Sequence, residues 1–283
     1  MLDAQPARPV IGFLTDFGLD GAAATCKGVI LSICRDAQIV DICHTVRKFA
    51  IRDGAYVLRS TLPYLPAGVH LAIVDPGVGT ARQAVAVRTR RGDVLVGPDN
   101  GLLLPAAEAL DGAVAARSLE NRAYWLPSAT SSTFHGRDVF APVAGHLAAR
   151  SASFDDLGPE LSPGDLVRLP PLAASVHAGM LQTVVTYVDS FGNLRLAGGR
   201  SQLEAALGAL AEGQPLLLEL AGAGGAEPRR EATTFGVTFG SVPQGASLLY
   251  VDSSGGLAFA DNQGSAAARL RVTADCPVRI SAT

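Results

Sequence analysis

The sequence predicts an α/β fold in the first part of the chain and a small β-rich fold in the second. Up to residue 150, short apolar β-type runs alternate with segments that carry apolar residues at helical spacing. Residues 151–171 lose this periodicity and are rich in Pro, Gly, Ser and Asp, which is typical of a linker. Short β-type runs separated by Gly, Ser and Asn turns follow. The length of 283 residues suits two domains of ordinary size.

The elements of the first part alternate in type, which predicts a mostly parallel sheet. Residues 69–75 are almost continuously apolar, as expected for a strand with both faces covered. The predicted elements, in order, are a strand at 10–16, a helix at 20–34, a strand at 38–43, a helix at 52–62, a strand at 69–75, a hairpin around Arg91 and Gly92, and helices at 101–110 and 137–150.

The second part contains β-type runs and one predicted helix at 201–210. The runs are LQTVVTYVD, LRLAG, PLLLEL, TTFGVTFG, SLLYVD, LAFA and LRVTADCPVRI. Their number and shortness favour a small β-barrel or sandwich. We therefore expect an N-terminal α/β domain at 1–168 and a C-terminal β-barrel-like domain at 169–283. The Gly-rich stretch 221–228 is predicted to be a hairpin loop.

Composition excludes several classes of protein. With 48% hydrophobic and 17% charged residues, the chain is neither disordered nor a coiled coil. The net charge of -3 argues against a nucleic-acid partner. Mean hydropathy is +0.27, but no apolar run approaches the roughly 20 residues of a spanning helix, so no membrane role is expected. The first ten residues lack a secretory pattern and the four cysteines form no C-x-x-C pair, which predicts a cytoplasmic protein.

Two acids stand at the ends of predicted strands. Asp16 ends the first strand in FLTDFG, and Asp75 ends another in IVDPGVG. Ligands of open α/β sheets bind beyond the carboxyl ends of the strands, so both acids are candidate site residues. Each could instead be a turn or helix-cap residue. Their occurrence at two strand ends of one sheet favours the functional interpretation.

Four further segments contain polar residues near predicted turns or helix starts, and three of them offer candidate site residues. The Gly-rich turn after Asp75 leads to Arg82, and TFHGRDVFAP places His135 before a predicted helix. In GPDNG, Asp99 is predicted to cap the next helix. The strand-turn YVDSFGN combines a carboxylate, an aromatic ring and an amide, which suits a heteroaromatic or amino-acid ligand, although a plain hairpin turn fits equally. Dinucleotide-binding, P-loop and serine-hydrolase motifs are missing from the sequence.

Taken together, FLTDFG, VDPGVG with its following Arg, GPDNG, TFHGRDVFAP and DSFGN resemble the S-adenosyl-L-methionine (SAM) hydroxide adenosyltransferases, or SAM hydrolases. These enzymes are related to the fluorinase and chlorinase. The motifs occur in this order over nearly the whole chain. The resemblance implies hydrolysis of SAM to adenosine and L-methionine, without a metal or cofactor. It also implies an α/β domain, a β-barrel-like domain, and a homotrimer with active sites between subunits.

The resemblance also implies roles for individual residues. The catalytic set would be Asp75, Arg82 and His135, with Asp16 gripping the ribose hydroxyls. The other implied substrate-binding residues are Phe49 against the adenosyl group, Phe134 near the reacting carbon, Asp189, Phe191 and Asn193 at the methionine and adenine ends, Ser253 and Ser254 at the methionine carboxylate, and Asn262 and Gln263 with backbone contacts to adenine. After F-G-N the family commonly has a Thr-Asn pair, whereas this chain continues LRLAGG.

The residue types fit water rather than halide as the nucleophile. The halogenating relatives carry Tyr where Asp75 stands and Thr where Val78 stands, and the fluorinase has Ser at Gly136. A carboxylate would repel a halide ion. Arg82 stays protonated and is expected to stabilise hydroxide character on a bound water, with Asp75 orienting both. His135 could accept or relay the proton.

Two rival functions remain open from the sequence. One is a metal-dependent phosphoesterase, since several acids and a histidine could be drawn around two ions. Its ligands would be Asp16, Asp75, Asp99, His135 and Asp138. The other is a SAM- or adenosine-binding module without catalysis.

Overall fold

The structure is a computed structural model that describes residues 8–127, 133–221 and 227–283. The chain divides into two compact units, residues 1–169 and 170–283. In the part of the chain that the structure describes, every helix is too short or too polar to span a bilayer. The sequence-predicted loop at 221–228 includes residues 222–226, which lie outside the described residues.

The first unit is built on a seven-stranded sheet with strand order β2-β1-β3-β5-β4-β6-β7. Its strands are β1 (Val10–Thr15), β2 (Gln38–Cys43), β3 (Val69–Ile73), β4 (Ala84–Thr89), β5 (Val94–Pro98), β6 (Ala113–Ser118) and β7 (Glu160–Leu161). β1, β2, β3 and β5 pair in parallel, and β4 is antiparallel to β5 and β6, so five strands run in one direction. The predicted mostly parallel sheet and the β4–β5 hairpin are therefore confirmed.

Helices cover both faces of this sheet. They are α1 (Ala22–Ile33), α2 (Ile51–Thr61), α3 (Leu104–Ala109) and α4 (Ala141–Ala148), the last preceded by a π-helical turn over Gly136–Phe140. In β1, Ile11 and Phe13 pack into the apolar cluster that contains Ile30 of α1, whereas Leu14 packs with Leu58 of α2. The strands are thus buried on both sides, as their continuous apolar runs predict.

The second unit is a closed barrel. Its strands are β8 (Ser175–His177), β9 (Met180–Val188), β10 (Leu194–Gly199), β11 (Pro215–Leu220), β12 (Arg229–Phe235), β13 (Ser247–Val251), β14 (Gly256–Asp261) and β15 (Pro277–Ala282). Pairing runs β10-β14-β13-β12-β11-β15-β9, and β9 pairs back to β10, so seven strands close and β8 adds to β9. This confirms the predicted β-barrel-like fold. Two short helices accompany it, α5 (Arg200–Leu207) and α6 (Ala266–Leu270).

Four details of the sequence-based prediction are wrong. The stretch 151–171 is more than a linker, because β7 lies within it and pairs with β6. The run LRVTADCPVRI begins inside α6, whose start Ser265 caps by accepting a hydrogen bond from the Ala268 N–H. The run TTFGVTFG is a strand only to Phe235, beyond which the chain turns. Asp99 does not cap α3 but accepts the Val167 N–H at 2.9 Å, and so ties down the chain after β7.

An ionic network around one buried carboxylate lies at the amino ends of the parallel strands β3 and β5. Asp93, directly before β5, is 0% exposed. Its carboxylate accepts hydrogen bonds from His70 at 2.9 Å, from Arg91 at 2.7 and 2.8 Å, from Thr89 and from the Gly68 N–H. Burial alone would raise the pKa of this carboxyl, but the bonds from Arg91 and His70 outweigh it and hold the pKa well below its ordinary value.

We predict that Asp93→Ala lowers the free energy of unfolding by about 3–5 kcal/mol, because it leaves buried donors without their charge partner. Urea denaturation at neutral pH measures the change. Since the pKa is lowered in the folded state, the stabilisation is present above the ordinary pKa of 3.8 and is lost as the pH falls below it. Asp155→Ala, which removes a half of an exposed ion pair with Arg117, should leave stability nearly unchanged. Equal effects of the two substitutions would contradict the prediction.

Candidate active site

A cavity of about 520 Å³ lies where the parallel strands of the first unit end. Asp16 follows β1 and Asp75 follows β3, and these two strands are hydrogen-bonded neighbours. The two acids therefore meet at one edge of the sheet, as the sequence predicts. The cavity is lined by Asp16, Phe17, Ala22, Lys48, Phe49, Ile73, Asp75, Val78, Thr133, Phe134, His135 and Gly136.

Asp75, Arg82 and His135 form one hydrogen-bonded cluster. Arg82 binds Asp75 through two nitrogens, with Nε 3.1 Å from Oδ1 and Nη2 in a short contact with Oδ2. Nη2 also lies 3.3 Å from Nδ1 of His135. The Arg82 side chain is 7% exposed and packs over the ring of Phe140. Bidentate pairing fixes the planes of both groups, so the Asp75 carboxylate cannot turn away from its position.

Of these three residues, Asp75 and His135 line the cavity, and Arg82 lies behind them. The remaining nitrogen of Arg82, Nη1, is buried and makes no hydrogen bond within the described part of the chain, so it does not open onto the cavity. Any molecule in the cavity therefore meets the carboxylate and the imidazole. The positive charge of Arg82 lies behind these two groups and makes no direct contact with the cavity.

The contact with Arg82 fixes the tautomer of His135. A guanidinium can only donate, so Nδ1 of His135 must accept and the ring proton sits on Nε2. Burial lowers the pKa of His135, and the charge of Arg82 lowers it further against the opposing effect of Asp75 and Asp138. His135 is therefore a neutral ring whose Nε2–H is a hydrogen-bond donor at neutral pH.

Asp16 is held in a different way. It is 7% exposed, and its Oδ2 accepts the N–H of Phe49 at 2.8 Å. Phe49 has a φ of 64°, a left-handed conformation that is unusual for an aromatic residue, and its side chain is 69% exposed. The hydrogen bond to Asp16 is one reason why the backbone holds this conformation. The same geometry brings the exposed ring of Phe49 to the rim of the cavity beside the carboxylate.

An aromatic wall closes another side of the cavity. The rings of Phe17 and Phe134 meet edge to face, 5.7 Å apart. A Cβ atom on Gly136 would lie 3.0 Å from the Phe17 ring and 3.1 Å from the Phe134 ring. A side chain at position 136 would thus push these rings apart, so the glycine preserves the wall.

Phe17 and Lys48 are two of the lining residues that sequence reasoning missed. Each is the direct neighbour of a residue that was identified, Asp16 or Phe49. Lys48 donates from Nζ to the Phe17 carbonyl at 3.0 Å, which links the two loops that carry Asp16 and Phe49. Adjacency to an identified residue was the available signal.

The second unit contains its own cavity, of about 670 Å³. Five of the predicted residues line it: Asp189, Phe191, Asn193, Ser253 and Gln263. Ser254 and Asn262 do not. The Asn262 N–H and C=O are used in the barrel, by Ala246 and Gly245, and its side chain donates to the Val242 carbonyl. The loop around Asn262 is thus fixed by the fold itself.

Arg195 and Asp252, which sequence reasoning missed, organise this cavity. Asp189 accepts the N–H groups of Phe191 and Asn193, and Asp252 accepts those of Ser254 and Gly256, so each acid closes its own turn. Arg195 lies between the two acids, 3.3 Å from Asp189 and 2.6 Å from Asp252. The departure LRLAGG after F-G-N contains this arginine, but the sequence does not indicate its partners.

The acids drawn as metal ligands for a phosphoesterase are not grouped as a metal site. Asp75 pairs with Arg82, Asp138 pairs with Arg137 at 2.6 Å, and Asp99 accepts the Val167 N–H. Within residues 8–127, 133–221 and 227–283, no group of three or more His, Cys, Asp or Glu side chains could hold a metal ion. The described geometry gives that rival no support.

Comparison with known proteins identifies the family. Residues 11–158 match the family model of the SAM hydroxide adenosyltransferase N-terminal domain, and residues 183–279 match that of the C-terminal domain. The chain belongs to the SAM hydroxide adenosyltransferase family. An (R)-S-adenosyl-L-methionine hydrolase of Salinispora arenicola is 48% identical over 98% of this chain and 99% of the relative. One of Thermus thermophilus is 40% identical over 96% and 99%.

More distant members and solved structures agree with this assignment. A fluorinase of Nocardia brasiliensis is 30% identical over 99% of both chains. A crystal structure of an uncharacterised conserved protein from Thermotoga maritima superposes with a TM-score of 0.84 at 33% identity, and covers 96% of this chain and 99% of that one. SAM hydroxide adenosyltransferase sequence and fold therefore extend over both units.

We predict that Arg82→Met raises the pKa of His135, because the substitution keeps a buried side chain but removes the positive charge, while Asp75 and Asp138 still favour the protonated ring. An NMR titration of the ring protons measures it. In the wild type His135 should titrate below its ordinary 6.5, and hydrolytic activity should fall as the pH drops through that lower value, since a proton on Nδ1 would face the Arg82 donor.

His146 is the internal control for this titration. Its pKa is lowered by burial alone, so Arg82→Met should leave it in place. A His135 titration that is unchanged in the variant, or that shifts together with His146, would contradict the geometry of the cluster.

Proposed function

We propose that this family member hydrolyses SAM to adenosine and L-methionine by attack of water on C5′. The observation that carries the proposal is the cluster of Asp75, Arg82 and His135 at a cavity whose second acid, Asp16, suits a ribose. Full-length relatives named (R)-S-adenosyl-L-methionine hydrolase support it. Their name further suggests the (R) epimer at sulfur as the substrate.

The chemistry of SAM sets what the protein must supply. Its sulfonium sulfur leaves as a neutral thioether, so the leaving group needs no acid. What remains is to place a water in line with the C5′–S bond and to take its proton, and fixed placement alone can account for a large part of the barrier. Asp16 anchors the ribose, and Phe49 and Phe134 border the adenosyl group.

Asp75 is the group best placed to take the proton. It lines the cavity, and a carboxylate has lone pairs beyond the two that Arg82 engages. His135 cannot accept a proton at Nδ1 without losing the hydrogen bond from Arg82. We therefore assign His135 as a donor from Nε2 to the water oxygen, and Arg82 as the residue that orients both. The sequence had left the proton acceptor open, with His135 as a residue that could accept or relay the proton.

The step balances without a further reactant. The water oxygen forms a bond to C5′ as the C5′–S bond breaks, and the bonding pair remains on sulfur as the thioether of methionine. One water proton passes to Asp75, and from there to solvent. The other stays on the new 5′-hydroxyl of adenosine. No metal or redox cofactor enters the proposal.

We further propose that the enzyme is a homotrimer in which the second unit of a neighbouring subunit completes the site. The exposed rings of Phe49, 69% accessible, and Phe191, 76% accessible, support this, because each borders a cavity and large aromatic surfaces of this kind are normally covered. A cytoplasmic location is proposed from the four free cysteines, since thiols persist in a reducing compartment.

We predict that Asp75→Asn lowers kcat at least about 100-fold, the usual contribution of a proton acceptor, because the amide keeps the shape but cannot take a proton. Chromatography of the adenosine formed measures kcat, with purified (R)-SAM and, separately, (S)-SAM as the substrate. Adenosine affinity should be nearly unchanged.

The exposed Asp155→Asn is the matched control and should retain the wild-type rate. Full activity of Asp75→Asn would exclude the carboxylate as acceptor, and a wild type that binds SAM but releases no adenosine would exclude hydrolysis.

Mixing two inactive variants tests the shared site. Asp16→Ala damages the first unit and Asn193→Ala the second, and we expect little activity from either alone. Mixed trimers, formed by co-expression with two affinity tags, should regain turnover if each site combines units from different subunits. Recovery that is absent although mixed trimers are isolated would indicate that each chain builds its site alone.

A further inference from the structure

A chain of hydrogen bonds runs from the surface of the first unit to the loop that carries Asp16. Lys27 of α1 lies 2.6 Å from Asp41 Oδ2, and Asp41 Oδ1 lies 3.1 Å from His44 Nε2. On the other side of the ring, Nδ1 is 3.0 Å from the Thr15 hydroxyl. The same hydroxyl oxygen accepts the N–H of Phe17 at 3.2 Å. Four successive contacts therefore join helix α1 to the backbone next to Asp16.

The donors and acceptors of this chain have one consistent direction. Burial alone would raise the pKa of Asp41, but the hydrogen bonds from Lys27 and His44 outweigh it and keep the carboxyl ionised. An ionised carboxylate only accepts, so His44 donates from Nε2, and in the neutral ring Nδ1 accepts from the Thr15 hydroxyl. The hydroxyl proton is thereby committed, and the oxygen is left to accept the Phe17 N–H. Each link orients the next.

His44 itself is held from two further sides. Its ring meets the buried ring of Phe13 edge to face at 4.8 Å, and its carbonyl accepts the Gly18 N–H at 2.7 Å. The corner that contains Asp16 and Phe17 is thus tied at both ends to one residue, through the Thr15 hydroxyl before Asp16 and through Gly18 after Phe17. Neither contact uses the Asp16 carboxylate, which remains directed to the cavity.

The hydroxyl of Thr15 is a buried polar group next to buried apolar side chains. Thr15 is 0% exposed, and its strand neighbours Phe13 and Leu14 are fully buried apolar residues. A valine has the same shape and would suit a buried strand position at least as well. A hydroxyl there requires two hydrogen bonds to offset the cost of burying it, and both go to groups that define the Asp16 corner.

We infer that Thr15 and His44 are positioning residues for substrate binding: together they hold the Asp16 carboxylate and the Phe17 ring in the geometry that grips the ribose of the nucleoside. The inference rests on the proposed function, in which Asp16 binds the ribose hydroxyls. It predicts that deleting the Thr15 hydroxyl acts on the ligand through those hydroxyls and not through the adenine or the general shape of the cavity.

The experiment compares two ligands by calorimetry on the full chain. Thr15→Val should raise the Kd for adenosine about tenfold, the effect expected from about one lost hydrogen bond of positioning. For 2′,3′-dideoxyadenosine, which lacks the hydroxyls, the variant and the wild type should have nearly the same Kd. In hydrolysis the KM for SAM should rise with a smaller change in kcat.

Matched variants separate positioning from stability. Thr15→Ser keeps the hydroxyl and should restore adenosine binding. His44→Leu keeps an apolar side chain against Phe13 but removes Nδ1, and it should reproduce the adenosine-selective loss. This variant replaces Thr15→Val in the experiment if Thr15→Val folds poorly. Thr89→Val removes an equally buried hydroxyl at the opposite edge of the sheet, where it bonds to Asp93, and should leave both affinities unchanged.

Several outcomes would overturn the inference. If Thr15→Val and His44→Leu weakened the binding of adenosine and of 2′,3′-dideoxyadenosine equally, Thr15 and His44 would support the cavity as a whole. If neither variant weakened adenosine binding, the two residues would have no positioning role. A wild type that binds the two nucleosides equally would refute the Asp16–ribose contact of the proposed function itself. The variants alone therefore test positioning, and the wild type alone tests the site.

Discussion

The ion pair between Arg82 and Asp75 is the interaction on which the proposed chemistry depends. Both side chains are more than nine-tenths buried, so neither charge could be kept there without the other. The pair fixes the carboxylate at the cavity, and the same guanidinium donates a hydrogen bond to Nδ1 of His135. One arginine thereby decides which neighbour can accept a proton and which can only donate. That division of roles follows from hydrogen-bond direction rather than from residue type.

The parallel sheet explains why these groups meet. The carboxyl ends of β1 and β3 deliver Asp16 and Asp75 to one edge, and the Gly-rich turn after Asp75 returns the chain so that Arg82 reaches the same carboxylate. At the opposite edge, the fully buried carboxylate of Asp93 binds His70 and Arg91. The sheet thus has one edge with groups committed to the fold and another with groups directed to a cavity. In the barrel, Arg195 has a comparable organising role between the turns of Asp189 and Asp252.

Much of this could be predicted from the sequence because it depends on local patterns. Apolar runs identify the strands, and position at a strand end identifies Asp16 and Asp75. The misses at Asp99, Arg195 and Asp252 have a different cause. Asp99 has a capping residue's local context, yet its partner is Val167, far along the chain. Arg195 and Asp252 meet across paired strands, and the protonation of His135 depends on Arg82, 53 residues away. No periodicity or motif encodes such contacts, since they depend on the three-dimensional pairing of the elements.

Isotope transfer distinguishes attack of water on C5′, with sulfur leaving as the thioether of methionine, from every other route of cleavage. SAM is hydrolysed in water enriched in oxygen-18, and mass spectrometry measures the isotope content of both products. If water attacks C5′, a single turnover places the label in the 5′-hydroxyl of adenosine and leaves methionine unlabelled. Unlabelled adenosine, or label in the amino-acid product, would contradict attack of water on C5′.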